Sequence, residues 1–355
     1  MILEIAEICR DIAAGEPPGD LTPYLVASET LAVGDPESED DGDPVFVLPD
    51  LHLLSADRHY KEFFHLNQNL KTRLMALLRR LVELRGDERY RGLRLIQVGD
   101  FHDLWRERAH WWGEAVGTML DHQIKTHRDL FELLASLGCH RVVGNHDDKL
   151  AQAGVLEKLR GHAISAYFPP GSVHTKPISL RRGAYGRADI LHGHEVDPAE
   201  QPWWRKLINP VGCRLAYPGL IGETDEWRHE VLSDGTADAM LAEQPIIYVS
   251  RDHLDKEQAA DLLFYPELAE WPTWPDDASA ELVGRFRSSV VIGHTHHPRI
   301  VKGLNPCDYV LVDCGSWVNR AEVVDREGQQ IMELWNGQLG ILSGPWAAVV
   351  QIGMA

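Results

Sequence analysis

Five short polar islands punctuate this chain at the ends of apolar runs. They read Asp50-Leu51-His52, Gly99-Asp100-Phe101-His102-Asp103, Gly144-Asn145-His146-Asp147, His192-Gly193-His194 and Gly293-His294-Thr295-His296. Each follows a short β-branched stretch, so each is expected in the loop at the carboxyl end of a strand, where open α/β sheets collect ligands. Asn and His in such places are costly unless each polar atom finds a partner. The first three intervals, Asp50 to Asp100 to Asn145 to His192, are about 45 to 50 residues each, which suits one strand and one crossover. A layered α/β fold is the expectation.

The apolar pattern between the islands supplies the elements. Strands are expected at Val45 to Leu48, Leu93 to Val98, Arg141 to Val143, Asp189 to Leu191, Ser289 to Ile292 and Tyr309 to Val312. A long helix fits Tyr60 to Arg85, with Leu70, Leu74, Leu77, Leu78, Leu81 and Leu84 on one face and Gly86 as its stop. A second helix fits Glu114 to Leu137, and a closing hairpin is expected across Asn336-Gly337, joining Ile331 to Trp335 with Gln338 to Leu342.

Ile2, Ile5, Ile8 and Ile12 recur at helical spacing, so residues 1–33 read as a helical extension. Residues 34–43 carry too many like charges and no apolar anchor, which reads as a solvated acidic linker. The main domain then runs over residues 44–355. The step from His192 to His294 is about twice the others, and the excess, about 197–277, is expected to be an inserted cap. It holds Trp203, Trp204, Trp227, Trp271 and Trp274, expected to pack the cap rather than stack a ligand, and Arg205, Lys206, Arg214 and Arg228, expected to be solvated charges.

Composition narrows the function classes. A net charge of −19 without a dense basic run disfavours a sequence-independent grip on nucleic acid. No apolar stretch is long enough to span a membrane, and Met1-Ile2-Leu3-Glu4 lacks the basic start of a secretory signal, so a soluble cytoplasmic protein is expected. Cys9, Cys139, Cys213, Cys307 and Cys314 form an odd set with no C-x-x-C, as expected of reduced thiols.

The islands offer carboxylates at Asp50 and Asp100, imidazoles at His52, His192, His294 and His296, and an amide oxygen at Asn145. Seven donors exceed one tetrahedral zinc and fall short of two closed octahedral ions. Two cations that share a carboxylate and keep open positions fit the count. Such pairs lower the pKa of a bridging water and clamp the attacking and leaving oxygens of displacement at phosphorus, so phosphoester hydrolysis is the expected chemistry.

The ordered set D-x-H, G-D-x-x-D, G-N-H-D, H-G-H and G-H-x-H resembles the calcineurin-like metallophosphoesterase family from about Val45 to Trp317. The resemblance implies a four-layer αββα fold and a dinuclear centre of manganese, or alternatively Fe, Zn, Ni, Co or Mg. It assigns Asp50, His52, Asp100 and His296 to one metal and Asp100, Asn145, His192 and His294 to the other, with Asp100 bridging. His146 would be a catalytic histidine outside the coordination shell, assisting a metal-bridging hydroxide, and Asp103 would orient it. His194 would lie behind His192 or face substrate. His102 is expected to be a partly exposed loop residue, and His59, His110, His122 and His127 to be surface or packing residues.

Within the family, Asp50-Leu51-His52-Leu53 and Asp313-Cys314-Gly315-Ser316-Trp317 look most like the UDP-2,3-diacylglucosamine pyrophosphohydrolase branch. The N-terminal helix, acidic linker, insert sequence and C-terminal extension depart from that branch. The expectation is therefore a mono- or diesterase acting on a small phosphate ester. Alternatives are the pyrophosphohydrolase, a non-catalytic scaffold on the same fold and, disfavoured by the net charge, a nuclease.

Overall fold

A computed structural model of the chain describes residues 3–14, 21–31, 43–55, 66, 68–104, 115–152, 154–182, 186–194, 247–249, 288–302, 309–318, 320–326 and 329–354. The fold is α/β, with two large mixed sheets. The first has seven strands: β1 (Leu21–Thr30), β15 (Trp346–Met354), β14 (Gln338–Ser343), β2 (Val45–Leu48), β3 (Arg94–Gly99), β4 (His140–Val143) and β5 (Val173–His174), in that spatial order. From β2 to β5 the pairing is parallel, and β14, β15 and β1 add antiparallel strands on the other side.

The second sheet runs β10 (Arg299–Lys302), β11 (Val310–Asp313), β9 (Ser289–Ile292), β7 (Arg187–Ile190) and β6 (Ile178–Arg181). Its three central strands, β11, β9 and β7, are parallel. A third sheet joins β12 (Arg320–Arg326), β13 (Gln329–Trp335) and β8 (Ile247–Val249), the last lying within the long interval between His192 and His294.

Period-two alternation divides each central strand between two cores. Phe46 and Leu48 of β2 face a cluster built with α1 (Leu3–Ala13), α2 (Gln68–Gly86) and α3 (Val116–Ser136), while Val45 and Val47 enter the cluster between the sheets. Val291, Val310, Val312 and Ile190 meet them there from the second sheet. Val290, Ile292 and Leu311 point the opposite way into a separate buried cluster with Leu191. The expected leucine face of α2 is buried throughout, from Leu70 to Leu84. Each such side chain contributes roughly 2 kcal/mol of burial, and together they fix this helix on the first sheet.

Two local expectations are corrected. The segment ending at Trp335 does not form a hairpin with the one beginning at Gln338: β13 pairs with β12 and β8, while β14 pairs with β2 and β15. Asn336 and Gly337 instead carry the chain between sheets, with Gly337 at φ 66°. Its carbonyl accepts from the Ile352 N–H at 2.9 Å, and Arg73 holds the Asn336 side chain at 3.3 Å. The N-terminal segment contains the expected helix, its Ile5, Ile8 and Ile12 buried, but also the unforeseen strand β1. Pro23 lies in this edge strand, where proline is tolerated. Among the described residues no helix is long and apolar enough to cross a membrane.

Candidate metal centre

All five islands lie beyond the carboxyl ends of parallel strands: Asp50 after β2, Asp100 after β3, Asn145 after β4, His192 after β7 and His294 after β9. Backbone hydrogen bonds knit these loops together. The N–H groups of Leu51 and His52 donate to the Asp100 carbonyl at 2.9 and 2.8 Å, and Trp317 N–H donates to the Asp50 carbonyl at 2.8 Å. Gly293 and His294 donate to the His192 carbonyl, both at 3.1 Å. Gly99, at φ 90°, admits this crowding, because a Cβ there would fall 2.0 Å from the His192 ring and 2.3 Å from Asp50 Oδ1.

His52 and His296 are the two non-glycine residues among those described with positive φ, at 47° and 57°. Such backbone costs roughly 1–3 kcal/mol and persists only where its surroundings enforce it. At His296 the enforcement comes from its neighbour: the Thr295 hydroxyl donates to the Asp313 carboxylate and accepts from the His297 N–H at 3.2 Å. Asp313 also accepts from the Gly315 N–H at 3.3 Å. The sequence reading gave Asp313 no such bracing role, and no local motif predicts it.

The side chains converge. His296 Nε2 lies 3.0 Å from Asp50 Oδ2 and 3.3 Å from His52 Nε2. His192 Nε2 lies 3.4 Å from Asp50 Oδ2 and 3.7 Å from Asp100 Oδ2, and His52 Nε2 lies 3.8 Å from the same Asp100 oxygen. Two buried groups, Asp50 with His52 and His296, and Asp50 with Asp100 and His192, therefore have the closeness needed to hold a metal ion. His294 packs its ring edge to face on His192, centroids 4.8 Å apart. His194 stands behind His192, Nδ1 to Nδ1 at 2.8 Å.

Asp103 joins this cluster to His146. One oxygen is 3.0 Å from His52 Nδ1 and the other 3.0 Å from His146 Nδ1. His146 is the more open ring, its side chain 18% exposed against 4% for His52 and 0% for His192.

The electrostatics are compatible with a bound cation. Burial, and then the nearby Asp50, Asp147 and Asp103 carboxylates, push the Asp100 carboxyl well above its usual range. Burial, and then the surrounding histidines, push His192 well below the ordinary imidazole value, which leaves it neutral with a lone pair to give. Asn145 Oδ1 is buried and accepts no hydrogen bond, at a cost of roughly 1–3 kcal/mol for an unmet acceptor. Carboxylate, imidazole and amide oxygen together suit a first-row divalent metal, so the residues present fit such an ion.

Asp147, Arg141 and Gln123 also take supporting roles that the sequence reading did not give them. Asp147 accepts from the Gly144 N–H at 2.7 Å and pairs with Arg141, both fully buried, which locks the Asn145-His146 turn. From α3, Gln123 donates to the Leu53 carbonyl at 2.8 Å and accepts from His102 Nδ1. His102 is itself a correction, since it is fully buried against Phe131 rather than partly exposed. His127 is buried and bonds the Leu54 carbonyl at 2.8 Å, whereas His122 is on the surface. Cys139 and Cys314 are buried free thiols, and Cys9 is half-buried. His59, His110, Cys213, Cys307 and the insert's tryptophans and basic residues lie outside the described residues. No protein-family model matches the chain, and no curated protein matches its sequence at a significant level.

Proposed function

We propose that the chain is a dinuclear metal-dependent phosphoric ester hydrolase of the calcineurin-like metallophosphoesterase type. The observation that carries this reading is the double contact of Asp103, whose one carboxylate holds both His52 of the buried cluster and the more exposed His146. In the same reading the helices, the two sheets and a further layer over the outer face at Val290, Ile292 and Leu311 compose an αββα sandwich, with residues 197–277 as its cap.

Asp50, His52, Asp100 and His296 would hold one ion and Asp100, Asn145, His192 and His294 the other, Asp100 being shared and manganese the first choice. Bound there, paired cations supply Lewis acidity toward phosphoryl oxygens and activation of water near neutral pH. The chain does the rest. Asp103 accepts Nδ1–H from His52 and directs that ring's Nε2 lone pair inward, as carboxylates behind metal-bound histidines do. It accepts Nδ1–H from His146 as well, which turns His146 Nε2 toward the leaving-group oxygen; with the ring in its imidazolium form, Nε2–H would give its proton to that oxygen as the P–O bond breaks and leave the neutral Nδ1–H ring on Asp103. Positioned proton transfer of this kind contributes about 10²- to 10⁴-fold.

The test is turnover of bis(p-nitrophenyl) phosphate and p-nitrophenyl phosphate by manganese-loaded protein, with His146→Ala alongside. Hydrolysis that falls by about 10²-fold or more in the variant, with metal content unchanged, supports the reading. Metal-loaded protein inert on a broad phosphate-ester panel would overturn it.

A further inference from the structure

The His192-Gly193-His194 island carries a second imidazole, outside the proposed ligand set. His192 follows β7 and is fully buried, and His194, two residues on, is partly exposed. Gly193 between them has φ 121°, a backbone that favours glycine, and a Cβ there would fall 2.8 Å from the His294 Cβ. Two N–H groups of the loop after β9 hold the His192 carbonyl, and the bend at Gly193 lets the two rings meet. Their Nδ1 atoms are 2.8 Å apart and their centroids 5.0 Å, so they lie nearly end to end. At that distance one nitrogen donates and the other accepts.

A neutral imidazole has one N–H and one ring nitrogen with a lone pair to give. His192 Nε2 faces Asp50 Oδ2 at 3.4 Å and Asp100 Oδ2 at 3.7 Å. For that nitrogen to ligate an ion its lone pair must point there, which puts the ring's proton on Nδ1, against His194. His194 Nδ1 must then be the acceptor, and its own proton sits on Nε2. We infer, on the dinuclear reading in which His192 is a ligand, that His194 is a positioning residue of the metal centre: its Nδ1 accepts the Nδ1–H of His192 and holds the His192 Nε2 lone pair toward Asp50 and Asp100. Carboxylates and backbone carbonyls are the usual groups behind metal-bound histidines, as Asp103 is behind His52. Here a neutral imidazole takes that place.

The experiment uses the full chain, stripped of metal and reloaded with zinc, which is diamagnetic. With ¹⁵N-labelled histidine, NMR of the zinc-loaded protein is expected to show His194 protonated at Nε2 and not at Nδ1, with a coupling between the two Nδ1 nuclei across the hydrogen bond. This measurement needs no variant. In zinc titrations of the stripped protein, His194→Leu is expected to bind one of the two ions about 10- to 100-fold more weakly. His194→Asn, whose Oδ1 can accept in place of Nδ1, should stay close to the parent, whereas packing alone predicts no advantage of Asn over Leu. A proton on His194 Nδ1 in the zinc-loaded protein, equal zinc affinity in the parent and a folded His194→Leu protein, or His194→Asn no better than His194→Leu would each overturn the inference and leave the metal centre standing. A parent protein that takes up fewer than two zinc ions would overturn the dinuclear reading and the role of His194 with it.

Discussion

His146 and Asp103 face each other at 3.0 Å, Nδ1 to Oδ1, and the second oxygen of the same carboxylate holds His52 at the same distance. The pairing ties a ring at the open side of the centre to one inside it, so a change at Asp103 acts on both. Asp103→Asn, nearly isosteric, is expected to lower kcat by about 10²-fold or more through His146. It should also weaken metal binding about 10- to 100-fold through His52. Steady-state kinetics at saturating manganese, with a metal titration, separates the two effects. His146→Ala should reproduce the first and not the second.

Asn145 Oδ1 is the unmet acceptor of the centre. Asn145→Ala removes it along with one expected ligand, so metal content after loading and desalting is expected to fall from two ions per chain toward one. Because ligands that bind only the folded state stabilise it by mass action, manganese should raise Tm in the parent protein and raise it less in the variant. Full occupancy in Asn145→Ala, measured by elemental analysis, would remove Asn145 from the ligand set.

Arg141 and Asp147 form a fully buried ion pair. Neutralising either partner leaves the other charged in a dry interior, at roughly 3–5 kcal/mol. Asp147→Asn should therefore lower the urea midpoint strongly. Arg141→Met combined with Asp147→Asn should cost less than the two single changes together, the mark of a pair that acts as a unit.

His127, buried on α3, has its pKa pushed down to about 4, chiefly by burial. The unfolded chain binds this proton near pH 6.5 and the folded chain only near 4. Stability from this group is thus complete above about pH 6.5 and is lost as pH falls toward 4, by about 2 kcal/mol at pH 5. Urea unfolding at pH 7 and pH 5 should show His127→Gln losing less stability over that interval than the parent. Equal losses would mean that His127 is not held neutral.

The legible parts of this protein are those with short-range physical signatures. Val45–Leu48 and Ser289–Ile292 are β-branched runs that fold as strands over the expected spans, and the leucines of α2 bury as their spacing dictates. The candidate ligands were legible because each island is a cluster of donors at a strand end. What the sequence concealed depends on distant partners. Asn336-Gly337 has the composition of a hairpin turn, yet the strands on either side find better neighbours in two different sheets. His102 looked like a loop histidine because nothing local reveals Gln123, 21 residues away, as its partner. Asp313 and Arg141 brace the centre from strands whose neighbours in space are remote in the chain.

The most direct test of the two-metal phosphoesterase account is the rate of bis(p-nitrophenyl) phosphate hydrolysis by manganese-loaded protein of known metal content, set against His146→Ala prepared identically. The account predicts turnover with two ions bound, and a loss of about 10²-fold or more in the variant at the same metal content. Two bound ions with equal rates in both proteins would contradict it.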